Sequence, residues 1–300
     1  MPWGAGTHGC CVYATEEQRL AAAADFFQMG AAHNERLLYL ADLDRGSLDG
    51  VVRALDDAGF HARWSQAGGQ LTVRSTDDSY LEGGTFDGNR VKDVLRRETE
   101  EALATGYRGL RVVGEMTWAR RGTVTPATPA TLAAYESEVN ELFGDATLTA
   151  LCQYDRGAFS DDTLDAVVAP HRLVTSGAGG DDGFTASRGD HGRVRVTGEV
   201  DFADAHLLRA FLRGCVAATA SGADDGGDLD VDIAEVSFLD IAGLRALVET
   251  AQDLGSSRAL AIRGARPLVR RVLELTGWDD MPNLRVRPDE PERTAATSHV

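Results

Sequence analysis

Short apolar runs alternate with stretches of helical period along most of this chain, and that alternation limits the fold more than any other feature. Gly9 to Tyr13, Leu37 to Ala41, Leu71 to Arg74, Leu110 to Gly114 and Thr147 to Tyr154 read as strands, with Leu173-Val174 as a candidate edge. Between them, Glu16 to Gly30 sets Leu20, Ala23, Phe26 and Phe27 at helical spacing, and Val91 to Leu103 does the same with Val91, Val94, Leu95 and Leu103. The pattern predicts an α/β fold with a mostly parallel sheet flanked by helices. Such sheets bind ligands at the carboxyl ends of their strands. Tyr13, Asp42, Glu115, Tyr154 and Asp155 fall at those ends and are expected to converge on one crevice.

A second, smaller region repeats the alternation. Val194 and Val196 suggest a half-buried strand, Leu208, Phe211, Leu212 and Cys215 a helix, and Leu229, Val231 and Ile233 a strand running on to Phe238. Ile241, Leu244, Leu247, Val248, Ala251 and Leu254 trace one helical face, with Asp240 placed as its N-cap. A strand around Leu260-Ile262 and a last helix through Leu268, Val272 and Leu275 complete the order. The Gly- and Asp-rich stretch from Thr175 to Gly183 has linker composition. The expected division is a first domain over 1–175, a flexible linker over 176–190, a second domain over 191–282 and a polar tail over 283–300.

Three hundred residues with 43% hydrophobic content suffice for two cores. A net charge of −17 repels phosphate backbones and anionic lipid, so neither direct nucleic-acid binding nor membrane binding is expected. With no signal-peptide pattern at the start and no membrane-length apolar run, a cytoplasmic location is expected. Cys10, Cys11, Cys152 and Cys215 are widely spread, which argues against a disulfide framework, and no Cys/His spacing suggests a metal site. The chain lacks the Gly-x-x-x-x-Gly-Lys-Ser/Thr loop that cradles phosphates, so ATP hydrolysis is not expected.

Strand geometry puts His8 and Cys10 on one face and Tyr13 on the other, about 16 Å away at roughly 3.3 Å per residue. These three therefore cannot share one ion. His8 and Cys10 read either as ligand contacts or as a buried histidine and thiol packed against a helix. Glu115, near Met116 and Trp118, either positions a ligand through one carboxylate against an apolar wall or pairs, like Asp155, with Arg111, Arg120 or Arg156.

Two families are similar to parts of this sequence. His8-Gly9-Cys10-Cys11-Val12-Tyr13, Tyr80-Leu81, Gly84-x-Phe86-Asp87, Leu110 to Trp118, Tyr135-Glu136 and Leu151 to Asp155 resemble the MEDS sensory domain. That resemblance implies a RecA/KaiC-like fold without its phosphate loop, sensing a small molecule or redox state, with an unidentified small-molecule ligand and an unknown cofactor. His8, Cys10, Tyr13, Glu115, Trp118, Tyr154 and Asp155 become its candidate ligand contacts. Val236 to Leu247 resembles the switch segment of STAS domains, the anti-sigma factor antagonists, where an Asp-Ser-Ser-Gly or Asp-Ser-Ala-Gly turn is phosphorylated. Here the turn is Asp240-Ile241-Ala242-Gly243 and carries no hydroxyl. Ser237 and Thr250 are the nearest substitutes, both expected to be structural.

The two resemblances imply a non-enzymatic signalling regulator whose first domain controls how a STAS-type αβ domain binds an anti-sigma factor or related kinase-fold protein. Asp201, Asp240, Ile241, Ala242 and Gly243 are the candidate partner contacts. The alternatives are a nucleotide- or cofactor-dependent enzyme in the first domain, with Glu115 as base, and a scaffold of a signalling complex.

Overall fold

The computed structural model describes residues 3–43, 46–121, 128–177, 183–220, 227–255 and 258–288. The first region supplies strands β1 (His8–Tyr13), β2 (Arg36–Ala41), β3 (Leu71–Ser75), β4 (Leu110–Glu115), β5 (Leu148–Asp155) and β6 (Leu173–Ser176). The second supplies β7 (Phe184–Arg188), β8 (Arg193–Val200), β9 (Leu229–Leu239), β10 (Leu260–Arg263) and β11 (Leu284–Val286). All lie in one eleven-stranded sheet, ordered β11-β10-β9-β8-β7-β6-β1-β5-β4-β2-β3. Neighbours run parallel except where β7 meets β6 and β8. The antiparallel β7 thus joins two parallel sheets edge to edge.

Helix coverage explains the two kinds of strand sequence. In the first region, α1 (Glu16–Ala32), α2 (Leu48–Asp57) and α3 (Ala62–Ala67) cover one face, and α4 (Gly88–Ala104), α5 (Pro129–Glu138) and α6 (Asp161–Val168) cover the other. With both faces covered, β1 is buried at every position and β5 at all but its last. In the second region, α7 (Ala205–Ala220), α8 (Ile241–Asp253) and α9 (Pro267–Thr276) continue only the α4–α6 layer. There β8 and the first half of β9 alternate between buried and more exposed positions, because no helix among the described residues covers the other face of the sheet. A single core of buried side chains runs through that shared layer from Val91 of α4 past Val167 of α6 and Phe211 of α7 to Leu273 of α9.

Three sequence expectations need correction. Leu173-Val174 is not an edge, since β6 lies between β1 and β7. Residues 184–188, placed in a flexible linker, form β7, with Phe184 and Ala186 fully buried and alternating with Thr185 and Ser187. Residues 178–182 of that linker lie outside the described residues. Leu284–Val286, placed in the polar tail, form β11 beside β10, while residues 289–300 lie outside the described residues.

The seam between the regions is closely packed. A Cβ on Gly214 of α7 would come within 1.9 Å of the Ala169 carbonyl oxygen at the end of α6. Only glycine allows this approach. Ser176 donates to Asp204 ahead of α7 at 2.6 Å, and His206 of α7 meets Asp165 of α6 at 2.7 Å.

Candidate functional site

The carboxyl ends of β1, β2, β4 and β5 open into a cleft of about 590 Å³ lined by Tyr13, Asp42, Glu115 and Asp155 together with Glu16, Arg19 and Arg121. Arg19 enters from α1 and pairs with both Glu115 and Glu16. Tyr39 donates to Glu115 Oε1 at 2.7 Å, and the Asp42 amide donates to Glu115 Oε2 at 2.9 Å. Both oxygens of that carboxylate are therefore engaged inside the fold. Burial raises the Glu115 carboxyl above the usual carboxylate range, while Arg19 and the Tyr39 hydroxyl oppose the shift. Arg111, one expected partner of Glu115, pairs instead with Glu35, and Arg156 pairs with Asp204. Asp155 accepts from the Gly157 amide at 2.8 Å.

The remaining first-region candidates do not reach this cleft. Trp118 is fully buried on the opposite side of the sheet, stacked on Tyr80 with ring centres 5.1 Å apart. The 3-10 turn Thr117–Arg120 that follows β4 turns its ring away from Glu115. Tyr154 points to the same opposite face because it alternates with Asp155 along β5, and its hydroxyl donates to Glu136. His8 and Cys10 share that face as well, and His8 lies 3.2 Å from Glu136 and 3.4 Å from the Cys152 sulfur. Burial raises the thiols of Cys10 and Cys152 well above their ordinary value.

His171 escaped the sequence reading, and Glu136, part of the Tyr135-Glu136 match, was not among the candidate ligand contacts. Burial alone would push the Glu136 carboxyl up, yet His171, His8 and the Tyr154 hydroxyl hold it below the usual range. Burial and the neighbouring His8 push His171 down to about 3. One signal was present: Leu132, Tyr135 and Val139 mark a buried helical face, and Glu136 falls within it.

In the second region, Val200 and Leu239 end adjacent parallel strands, which brings Asp201 and Asp240 side by side. Asp240 Oδ1 accepts from the amides of Ala242 and Gly243, both at 2.8 Å, and caps α8. Asp201 does the same ahead of α7, accepting from Ala203 at 2.9 Å and Asp204 at 3.1 Å. Ile241 is 53% exposed, Phe238 49% and Phe202 82%, so the turn and its flanks present apolar side chains to solvent. Gly243 is buried, where a Cβ would crowd Leu239 and Val200, so its role is packing and not display. Thr250 is fully buried and donates to the Ala246 carbonyl at 2.7 Å, whereas Ser237 is exposed. A second cleft, about 480 Å³, adjoins the turn and takes Arg156, Asp161 and Asp165 from the first region and Phe202, His206 and Ala242 from the second.

The model of the family described as the methanogen/methylotroph DcmR sensory domain, MEDS, matches residues 7–172, more than half of the chain. The chain belongs to the MEDS family. Behind its MEDS domain, residues 184–286 match the STAS domain family described as Mlab. Among solved structures, an anti-sigma factor antagonist from Mycobacterium paratuberculosis is 30% identical over 34% of this chain and 85% of its own, with a TM-score of 0.30. A KaiC-like protein from Pyrococcus horikoshii is 13% identical over 65% of this chain and 79% of its own, with a TM-score of 0.39. The flagellar accessory protein FlaH from Methanocaldococcus jannaschii is 8% identical over 65% and 80%, with a TM-score of 0.38. A search of curated proteins found no match. A MEDS domain followed by a STAS domain marks the chain as a signalling regulator. Among the described residues, no helix is long and apolar enough to cross a membrane.

Proposed function

We propose that the chain is an anti-sigma factor antagonist in which a MEDS sensor unit, residues 7–172, governs a STAS output unit, residues 184–286. The output unit binds a kinase-fold anti-sigma factor through the turn at Asp240–Gly243, with Ile241, Ala242 and the flanking Phe202 and Phe238 as its apolar contact. The observation that carries this reading is the exposed, hydroxyl-free turn on a capped helix. Phosphate on such a turn would add about two negative charges beside Asp240. Ala242 offers no acceptor for it, so control passes to the sensor unit.

The strand-end cleft suits a small polar ligand, since its lining gathers Arg19, paired with Glu16 and Glu115, and Arg121, paired with Asp42, beside Asp155. A route from cleft to turn also supports the reading. Asp155 lines the cleft, and Arg156, the next residue, holds Asp204 and the Ala203 carbonyl just ahead of α7. A catalytic role for Glu115 gains no support, because both of its oxygens are already engaged.

The test is a set of pairwise calorimetric titrations against purified kinase-fold anti-sigma factors of the source organism. The reading expects saturable binding to at least one of them, weakened about tenfold or more by Ile241→Asp. Binding to none, or binding that Ile241→Asp leaves unchanged, contradicts it.

A further inference from the structure

We infer that His8, Glu136, Cys152 and His171 form a four-donor site for a divalent transition metal, zinc by preference. Each is at most 5% exposed, and one ligand atom from each lies within 4.8 Å of the others. Bonds of about 2.0–2.3 Å place the donors of a tetrahedral zinc about 3.3–3.8 Å apart. Four of the six separations fall in or close to that range, and all six are within 4.8 Å. His8 Nε2 lies 3.2 Å from Glu136 Oε2 and 3.4 Å from Cys152 Sγ, and Cys152 Sγ and His171 Nε2 lie 3.7 and 3.6 Å from Glu136 Oε2.

The surrounding hydrogen bonds aim lone pairs inward. His171 Nδ1 sits 2.7 Å from the Val167 carbonyl, which only accepts, so the ring proton is on Nδ1 and Nε2 is a bare acceptor. Asn140 donates its amide nitrogen to the carbonyls of Glu136 and Pro170, both at 3.0 Å. That fixes its oxygen as the acceptor 3.0 Å from His8 Nδ1 and leaves His8 Nε2 bare as well. Tyr154 donates to the outer oxygen of Glu136. His171 Nε2 is buried without a hydrogen-bond partner and faces a carboxylate oxygen 3.6 Å away. Two lone pairs in a dry interior repel, and a cation between them removes the repulsion while compensating the buried carboxylate.

The donor set selects the metal. Two imidazoles, a thiolate and a carboxylate suit zinc or cobalt and disfavour magnesium and calcium. Four protein donors leave no position for a reacting water, so the site is structural or regulatory. The donors come from β1, α5, β5 and the segment after α6, so a bound ion ties both sheet and helices to the Ala169–His171 segment that α7 packs on. The site stands whichever partner the STAS domain binds.

The test uses the full chain, expressed with added zinc, desalted and assayed by elemental mass spectrometry, and in parallel refolded with Co²⁺ and read by absorbance. About one equivalent of zinc and a thiolate-to-cobalt charge-transfer band are expected. Cys152→Ser should lose the band and His171→Ala the stoichiometry, with circular dichroism confirming that both variants are folded. Cys11→Ser, on the opposite face of the sheet, should keep both signals. Wild type without metal by both routes, or Cys152→Ser and His171→Ala variants that retain it, overturns the proposal.

Discussion

Arg156 reaches from the end of β5 in the MEDS domain to the carboxylate of Asp204 in the STAS domain, and its Nη1 donates to the Ala203 carbonyl at 3.2 Å. The same Asp204 accepts from Ser176 at 2.6 Å. One largely buried carboxylate thus holds the start of α7 to two strands of the other domain. Arg156→Ala is expected to cost about 1–2 kcal/mol, less than a fully buried pair because the arginine side chain keeps 25% exposure. Urea unfolding measures it. A loss within error of zero means that the ion pair does not fasten the seam.

Asp240 satisfies two amides that would otherwise be orphaned at the start of α8. Asp240→Ala is expected to lower stability by about 1 kcal/mol, and Asp240→Asn to recover most of that. Thermal unfolding of the three chains checks it. Equal losses for Ala and Asn would show that charge at the turn, and not capping, is what the position supplies.

Burial pushes the Cys11 thiol up to about 12, against the pull of Arg19. In the unfolded chain this thiol ionises near 8.5. The folded value lies above the unfolded one, so the contribution is complete below pH 8.5 and is lost as pH rises towards about 12. Unfolding free energies measured at pH 8, 9 and 10 should fall less steeply in Cys11→Ala than in wild type, by up to about 1.4 kcal/mol per pH unit. Parallel slopes would place a titrating thiol at this position.

The strands of the MEDS domain were legible because both faces of their sheet are covered, which writes continuous apolar runs such as Leu37 to Ala41. The STAS strands were legible through alternation, since helices among the described residues cover one face of their sheet. β7 escaped notice because its two buried residues, Phe184 and Ala186, follow directly on a Gly- and Asp-rich stretch that dominates the local composition. β11 is three residues long and buries Leu284 alone, too little for any pattern.

The strand-end cleft could be anticipated from topology, and Tyr13, Asp42, Glu115 and Asp155 do line one cavity. Tyr154 and Trp118 do not, because one residue along a strand, or one 3-10 turn beyond it, reverses the face. The histidine and cysteine cluster was invisible for a different reason. Its donors stand at 8, 136, 152 and 171, on separate elements, so no spacing along the chain announces them.

In the proposed mechanism the MEDS domain reaches the partner surface through the seam with α7. Gly214→Ala alters that seam, driving a methyl group into the Ala169 carbonyl without altering the exposed turn. The direct measurement is the affinity of the cognate anti-sigma factor for wild type and for Gly214→Ala under identical conditions. A change of at least about threefold is expected. An unchanged affinity, in a folded variant whose lowered unfolding midpoint shows that the seam was disturbed, would contradict it.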